Sequence, residues 1–441
     1  MSELAGSDFA RLFSRFDFAS RPCVTVAVSG GSDSTALLLL LKDHLQQYAP
    51  DTRLAAITID HGLRPESSSE ADEVARLCAR LGVAHVIRTW KGAKPATGLP
   101  AAAREARHEL LAHAAAELES DLVVMGHTAD DQAETVLMRG AREAGRGLAG
   151  MAPATLYDGR TWFVRPMLAA RRQDLRDYLR QRGLGWIDDP SNASEKYERP
   201  RVRKRLGAAG GERDLAAALD RASDVASQRE RFGEAAATFI TEHVTRPAPG
   251  LLRVDQAAFD RLATDVALYP LRILLATAGG TPHLPDQSRT SALRDRLRTD
   301  RPVRAVLSRA LVDRRNAGIF VLREARNLPG AAAMKIGAIW DGRYRLVAKA
   351  EETERRSASA AAGHSGLAPV PKSLAKAALS REPAHLEGQQ GAGWVQAVPV
   401  VAPWARFLPS FDLAPARAVG SLIGAPKIPA SPFRQHIGAK P

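Results

Sequence analysis

The chain has 441 residues, 45% of them hydrophobic and 25% charged, which excludes a disordered polymer and exceeds what one hydrophobic core organises, so three domains are expected. Lys and Arg outnumber acids 62 to 49, and the resulting charge of +13 favours polyanionic partners, nucleic acid before membrane. Two cysteines, Cys23 and Cys78, exclude a disulfide framework or a thiolate metal cage and suit a reducing cytoplasm. The longest apolar run, Ala36 to Leu41, is too short for a bilayer, and the first twenty residues lack an export pattern, so a cytoplasmic protein is expected.

Val24 to Val28 is β-branched and apolar, as a buried parallel strand should be, and Thr35 to Leu45 follows as a leucine-rich helix across a glycine turn. Leu54 to Ile59, Val83 to Ile87 and Leu122 to Met125 repeat the strand pattern, with a helix predicted around Glu70 to Leu81 and another after the fourth strand. The alternation predicts an α/β fold, an open parallel sheet flanked by helices, with ligands at the carboxyl ends of the strands. From Asp214 to Val244 apolar residues recur at helical spacing, and a mainly helical domain is expected over 211–330, helical to about Leu297. A hairpin from Arg309–Val312 and Ile319–Leu322 closes it, with Asn316-Ala317-Gly318 at the turn. Residues 331–441 read as a small β-containing module, with a hairpin over Ile339 to Val347 turning at Asp341-Gly342 and a linker over Arg355 to Pro371.

Three loops that follow strands carry candidate chemistry. Ser29-Gly30-Gly31-Ser32-Asp33-Ser34 meets a helix start, where free N–H groups and the helix dipole favour an anion. No lysine follows as in a Walker A loop, so the segment suits a leaving pyrophosphate; read alone it is equally a capped glycine turn. Asp60-His61-Gly62 reads as a turn or as a contact to base or ribose. After the fourth strand, His127 precedes Asp130, Asp131 and Glu134, with helical spacing placing Asp130 and Glu134 on one face. Such acids could serve Mg²⁺, a cationic substrate, or merely the helix dipole. Between Arg165 and Leu206 twelve basic residues stand against six acids, a stripe suited to a phosphate backbone or to a solvated face; beside a nucleotide site RNA is the better reading.

In order along the chain come SGGSDS (Ser29–Ser34), DHGLRPES from Asp60, AAREAR (Ala102–Arg107), HTADDQAETVLMR from His127 and GLAGM (Gly147–Met151). RPML (Arg165–Leu168), GLGWIDDPSN from Gly183 and RPRVR (Arg199–Arg203) complete the set. With these segments the chain resembles the bacterial tRNA(Ile)-lysidine synthetases of the N-type ATP pyrophosphatase (PP-loop) superfamily. The resemblance implies adenylation of C2 of the wobble cytidine of a CAU-anticodon isoleucine tRNA by ATP with Mg²⁺, then attack by L-lysine. AMP and pyrophosphate leave, and the lysidine formed shifts codon reading from AUG to AUA. It implies 1–210 as the catalytic domain, 211–330 as a tRNA-binding domain and tRNA discrimination by 331–441.

On that basis Asp130, Asp131 and Glu134 are the expected catalytic residues, and Ser29, Gly30, Gly31, Ser32, Asp33 and Ser34 the ATP and pyrophosphate site. Asp60, His61 and His127 are expected at the nucleotide, and Arg104, Arg107, Arg165, Arg199, Arg201 and Arg203 at tRNA. Asp33, Asp130 and Asp131 are the expected Mg²⁺ ligands, with the division of acids between metal and lysine left open. A homodimer is left open as well. One departure is Arg142-Glu143-Ala144-Gly145, where the family usually has Arg-Gly-Ser-Gly. A tRNA thiolase of the same superfamily and a non-catalytic RNA-binding protein are the alternatives.

Overall fold

A computed structural model describes residues 6–63, 66–95, 97–141, 145–188, 198–299, 301–330, 335–348, 370–383 and 395–434. It divides into two compact units, Met1–Arg229 with Pro409–Phe411 and Pro429–Pro441, and Glu230–Leu408 with Asp412–Ile428.

The first unit runs α1 (Gly6–Phe13), β1 (Cys23–Ala27), α2 (Ser32–Tyr48), β2 (Arg53–Asp60), α3 (Ser67–Leu81), β3 (Ala84–Thr89) and α4 (Leu99–Glu117). It continues with β4 (Leu122–Val124), α5 (Ala129–Gly140), β5 (Ala154–Tyr157), β6 (Thr161–Val164), α6 (Arg172–Gln181), α7 (Glu198–Leu206) and the start of α8 (Gly211–His243). The four expected strands are present. β1 is buried along its whole length, as a strand covered on both faces must be. It pairs in parallel with β2 on one side and β4 on the other. β3 extends the sheet beyond β2 and β6 beyond β4, both parallel.

The strand order therefore reverses between β1 and β4, and the loops leaving these two neighbours open into one crevice, where open α/β sheets bind their ligands. Ala27, Ile57, Val123 and Phe163 of the sheet pack on Leu111, Ala114 and Ala115 of α4. The antiparallel β5–β6 hairpin, which continues the sheet beyond β4, was not expected from the sequence. Its strands are four residues each, too short for a period to show, and its signal is the turn at Asp158 and Gly159, both at positive φ.

The second unit has helices Gln256–Arg261, Thr264–Gly279 and Gln287–Leu297 beside an antiparallel five-stranded sheet. That sheet is ordered Val244–Ala248, Leu251–Val254, Gly318–Arg323, Ala310–Arg315, Val303–Leu307. The hairpin expected around Asn316 supplies its centre. The first two strands correct the expectation of helix as far as Leu297; Pro247, Pro249 and Gly250 break the helix and make the turn between them. The Asp341-Gly342 hairpin forms between Ile339–Trp340 and Tyr344–Ala348, and Val395–Pro399 adds a third strand.

Asp341 joins this small sheet to the larger one. Its carboxylate is fully buried and accepts from Arg323 Nε at 3.0 Å, from Arg343 Nε at 2.8 Å and from Arg309. The Arg323 side chain is equally buried. Residues 355–369 of the expected linker lie outside the described residues.

Candidate active site

The loop from Ser29 to Ser34 is shaped by its glycines. Gly30 sits at φ +83°, a backbone conformation that favours glycine, and a Cβ there would lie 2.5 Å from Ile187 Cδ1, which would have to move aside. The Gly30 carbonyl accepts from the Ile187 N–H at 2.9 Å, which ties the loop to the segment after α6. Gly31 begins α2 in extended conformation with no side-chain cap, and Ser34 Oγ accepts from the Ser29 N–H at 3.1 Å. The first-turn N–H groups of α2 begin at this turn, a cradle of donors suited to phosphate oxygens, with Ser29 Oγ 3.2 Å from Ser34 Oγ and Ser32 Oγ donating to Asp33 Oδ1 at 3.0 Å.

Directly opposite is α5, entered from β4 through Gly126, where a Cβ would meet the Ser34 backbone at 3.2 Å. Thr128 caps α5 in a reciprocal box with Asp131, whose Oδ2 accepts from the Thr128 N–H and hydroxyl, each at 3.0 Å. One oxygen of Asp131 is thus spent on the helix, and the other, Oδ1, accepts from Arg172 Nη2 at 3.0 Å. Arg172 Nε donates to Asp33 Oδ2 at 3.0 Å, and its Nη1 stands 3.5 Å from Glu134 Oε1. Glu134, 1% exposed, also meets Arg203 Nε at 2.8 Å and Arg199 Nε at 3.4 Å.

It is Asp131 that shares a cation with Glu134. Asp130 turns aside, accepting the Arg172 N–H at 2.8 Å and lying 3.5 Å from Arg171 Nε, so it fastens α6 to α5. Burial pushes the Asp33 carboxyl above its ordinary range, against the pull of Arg172. Among the described residues no group of three or more His, Cys, Asp or Glu is arranged to hold a metal by itself. The chemistry of Asp33 and Asp131 nevertheless fits Mg²⁺, which takes hard oxygens and commonly binds through one or two carboxylates plus substrate phosphates.

A second feature is cationic. Burial first, then Arg165, Arg107, Arg104 and Arg199, hold His127 well below its usual value, so its ring is neutral, and its Nδ1 has no hydrogen-bond partner among the described residues. Arg165 is itself pushed down to about 9 by burial and by Arg104 and Arg107. It donates Nη1 to the Ala152 carbonyl at 2.9 Å. His61 is likewise depressed, by burial and then Arg107. These groups repel one another, and an anion would relieve the repulsion. Asp60 is engaged elsewhere, its carboxylate accepting from Ser67 Oγ at 2.6 Å, the Gly62 N–H at 2.8 Å and Ser68 Oγ at 3.1 Å, which closes the turn into α3. Arg201 is exposed on α7, away from the Glu134 contacts made by Arg199 and Arg203.

A PP-loop domain model matches residues 3–209. A tRNA(Ile)-lysidine synthase of Mesorhizobium japonicum is 51% identical, covering 97% of each chain. The chain belongs to the tRNA(Ile)-lysidine synthase family. Family members from Rhizobium meliloti, 38% identical with 98% of each chain covered, and Brucella anthropi, 41% identical with 78% of each covered, are similar as well. Of the segments that carry the family resemblance, Gly147–Met151 is locked to α5: Gln132 accepts the Met151 N–H at 2.7 Å, and Arg139 Nη1 donates to the Gly150 carbonyl at 3.0 Å. The departure at Arg142–Ala144 lies outside the described residues.

Missing from the expected site are Arg171, Arg172 and Arg176. All three were visible as members of the basic stripe. Arg172 and Arg176 lie one helical turn apart on α6, and Arg176 Nε reaches Ser32 Oγ at 3.4 Å. Their spacing was legible; that Arg171 and Arg172 turn toward acids of α2 and α5, and Arg176 toward the Ser32 hydroxyl, was not.

Proposed function

We propose that the chain ligates lysine to C2 of the wobble cytidine of the CAU-anticodon isoleucine tRNA, consuming ATP and releasing AMP and pyrophosphate. Family membership over nearly the whole chain carries this reading. The crevice between β1 and β4 supports it by bringing a phosphate-binding loop within one guanidinium of a buried acidic cluster. The Ser29–Ser34 cradle would receive the pyrophosphate, whose departure turns the C2 oxygen into a good leaving group. Asp131 and Glu134 would hold the lysine ammonium and accept the proton that must leave before the amine attacks. Asp130 would keep α6 in place. Mg²⁺, with Asp33 as its protein ligand, would neutralise charge on the phosphates.

Arg104 and Arg107, with Arg199, Arg201 and Arg203 of α7, would contact tRNA phosphates, while Arg165, 5% exposed, is held inside by the Ala152 carbonyl; 211–330 and 331–441 would hold the rest of the tRNA. No helix among the described residues is long and apolar enough to cross a membrane. Thiolation is disfavoured because Cys23 and Cys78 are both buried and unpaired, and burial pushes both thiols above their ordinary range.

Purified protein with ATP, Mg²⁺, labelled lysine and bulk bacterial tRNA should place label in RNA and release AMP. Sulfur transfer in its place, given a donor, would establish the thiolase reading. Retention of tRNA with neither transfer would leave an RNA-binding protein.

A further inference from the structure

Arg172 occupies a position that the proposed chemistry needs for something else. Its guanidinium spans Asp33 Oδ2 and Asp131 Oδ1, each at 3.0 Å, and approaches Glu134 Oε1 at 3.5 Å, with the side chain only 14% exposed. Its backbone is pinned by Asp130 Oδ2 at 2.8 Å, so the head group can swing only about a fixed root. These are the carboxylates that a lysine ammonium would seek, and a planar fork that meets three of them competes with any incoming cation. The same guanidinium lies against the first turn of α2, where a triphosphate would rest on the donors of Ser29–Ser34, and guanidinium binds phosphate as readily as carboxylate.

We propose that Arg172 is a tethered stand-in for the lysine ammonium, transferring from the carboxylates to the phosphates when ATP docks and so admitting lysine only to the nucleotide-loaded enzyme. This rests on the lysine-ligating reading above. The exchange is purely electrostatic: one guanidinium leaves Asp131 and Glu134, one ammonium replaces it, and the net charge of the acidic pocket is unchanged. Its function would be order, because lysine held before activation of the cytidine has nothing to attack.

The test is lysine binding by calorimetry on the full-length protein, with and without a non-hydrolysable ATP analogue. Wild type should bind lysine about 10-fold more tightly with the analogue than without. Arg172→Gln should bind lysine without nucleotide about as tightly as wild type does with it, and the analogue should add little. Arg172→Lys keeps the charge but cannot span three carboxylates, so it should shift in the same direction by less, and it serves if the glutamine variant fails to fold. Unchanged or weaker lysine binding by Arg172→Gln without nucleotide, where wild type binds with it, would overturn the stand-in role and leave the ligase reading standing. No lysine binding by any form, even with the analogue, would overturn both.

Discussion

Single side chains in the first unit show how burial sets charge. His108 is buried beneath the sheet, and its ring lies edge-on to Phe163 with centroids 5.0 Å apart. Burial, with Arg104, Arg107 and Arg165 nearby, pushes it down to about 4 from an ordinary value of 6.5. The unfolded chain takes up this proton below about pH 6.5 and the folded chain only near pH 4, so its contribution to stability is lost as pH falls through that window. The loss is at most about 3 kcal/mol. Urea titrations at pH 7 and 4.5 should show wild type losing more stability than His108→Gln; equal losses would contradict the assignment. Glu134 is buried too, and its carboxylate is faced by three guanidiniums, those of Arg172, Arg199 and Arg203.

Among elements, the turn from β1 into α2 concentrates the most constraint in the fewest atoms. Gly30→Ala places a methyl 2.5 Å from Ile187 Cδ1 at a φ of +83°, a conformation alanine adopts at a cost of about 1 kcal/mol before any clash. ATP-dependent lysine transfer should fall at least tenfold while filter retention of tRNA stays near wild type; parallel loss of both would indicate a global defect. This turn was legible from the sequence because a β-branched run, two glycines and a leucine-rich helix are local signals. The acids of α5 were legible as a group, but helical spacing put Asp130 with Glu134, whereas it is Asp131 that shares Arg172 with Glu134. The partner that organises them was not legible: Arg172 lies 139 residues from Asp33 along the chain, and the packing of α6 against α2 brings them together. Asp60 and Asp130 show the converse limit. Each looked like a site acid, and each spends oxygens on holding a turn or a helix, which composition and spacing could not distinguish.

Over the whole molecule, charge is used both for holding the fold and for meeting a partner. In the second unit Asp341→Asn should destabilise by about 3 kcal/mol, since three arginines would lose a buried counter-charge while asparagine still accepts the φ of +51° there. Protease nicking of that unit at a lower temperature than in wild type, with nucleotide binding intact, would be the expected signature. The surplus of +13 predicts tRNA affinity that falls steeply with salt, and Arg201→Ala should reduce the slope of log K against log salt by about 1 without changing ATP affinity. An unchanged slope would remove Arg201 from the RNA contact surface. The two buried thiols bear on how such docking is observed. Cys23 and Cys78 are the chain's entire cysteine complement, and burial pushes Cys78 up to about 11. A maleimide dye at neutral pH would find almost no native thiolate, so one cysteine introduced on the exposed face of α7 would be a single fluorescent reporter, ready to follow tRNA arrival in real time on an otherwise native sequence.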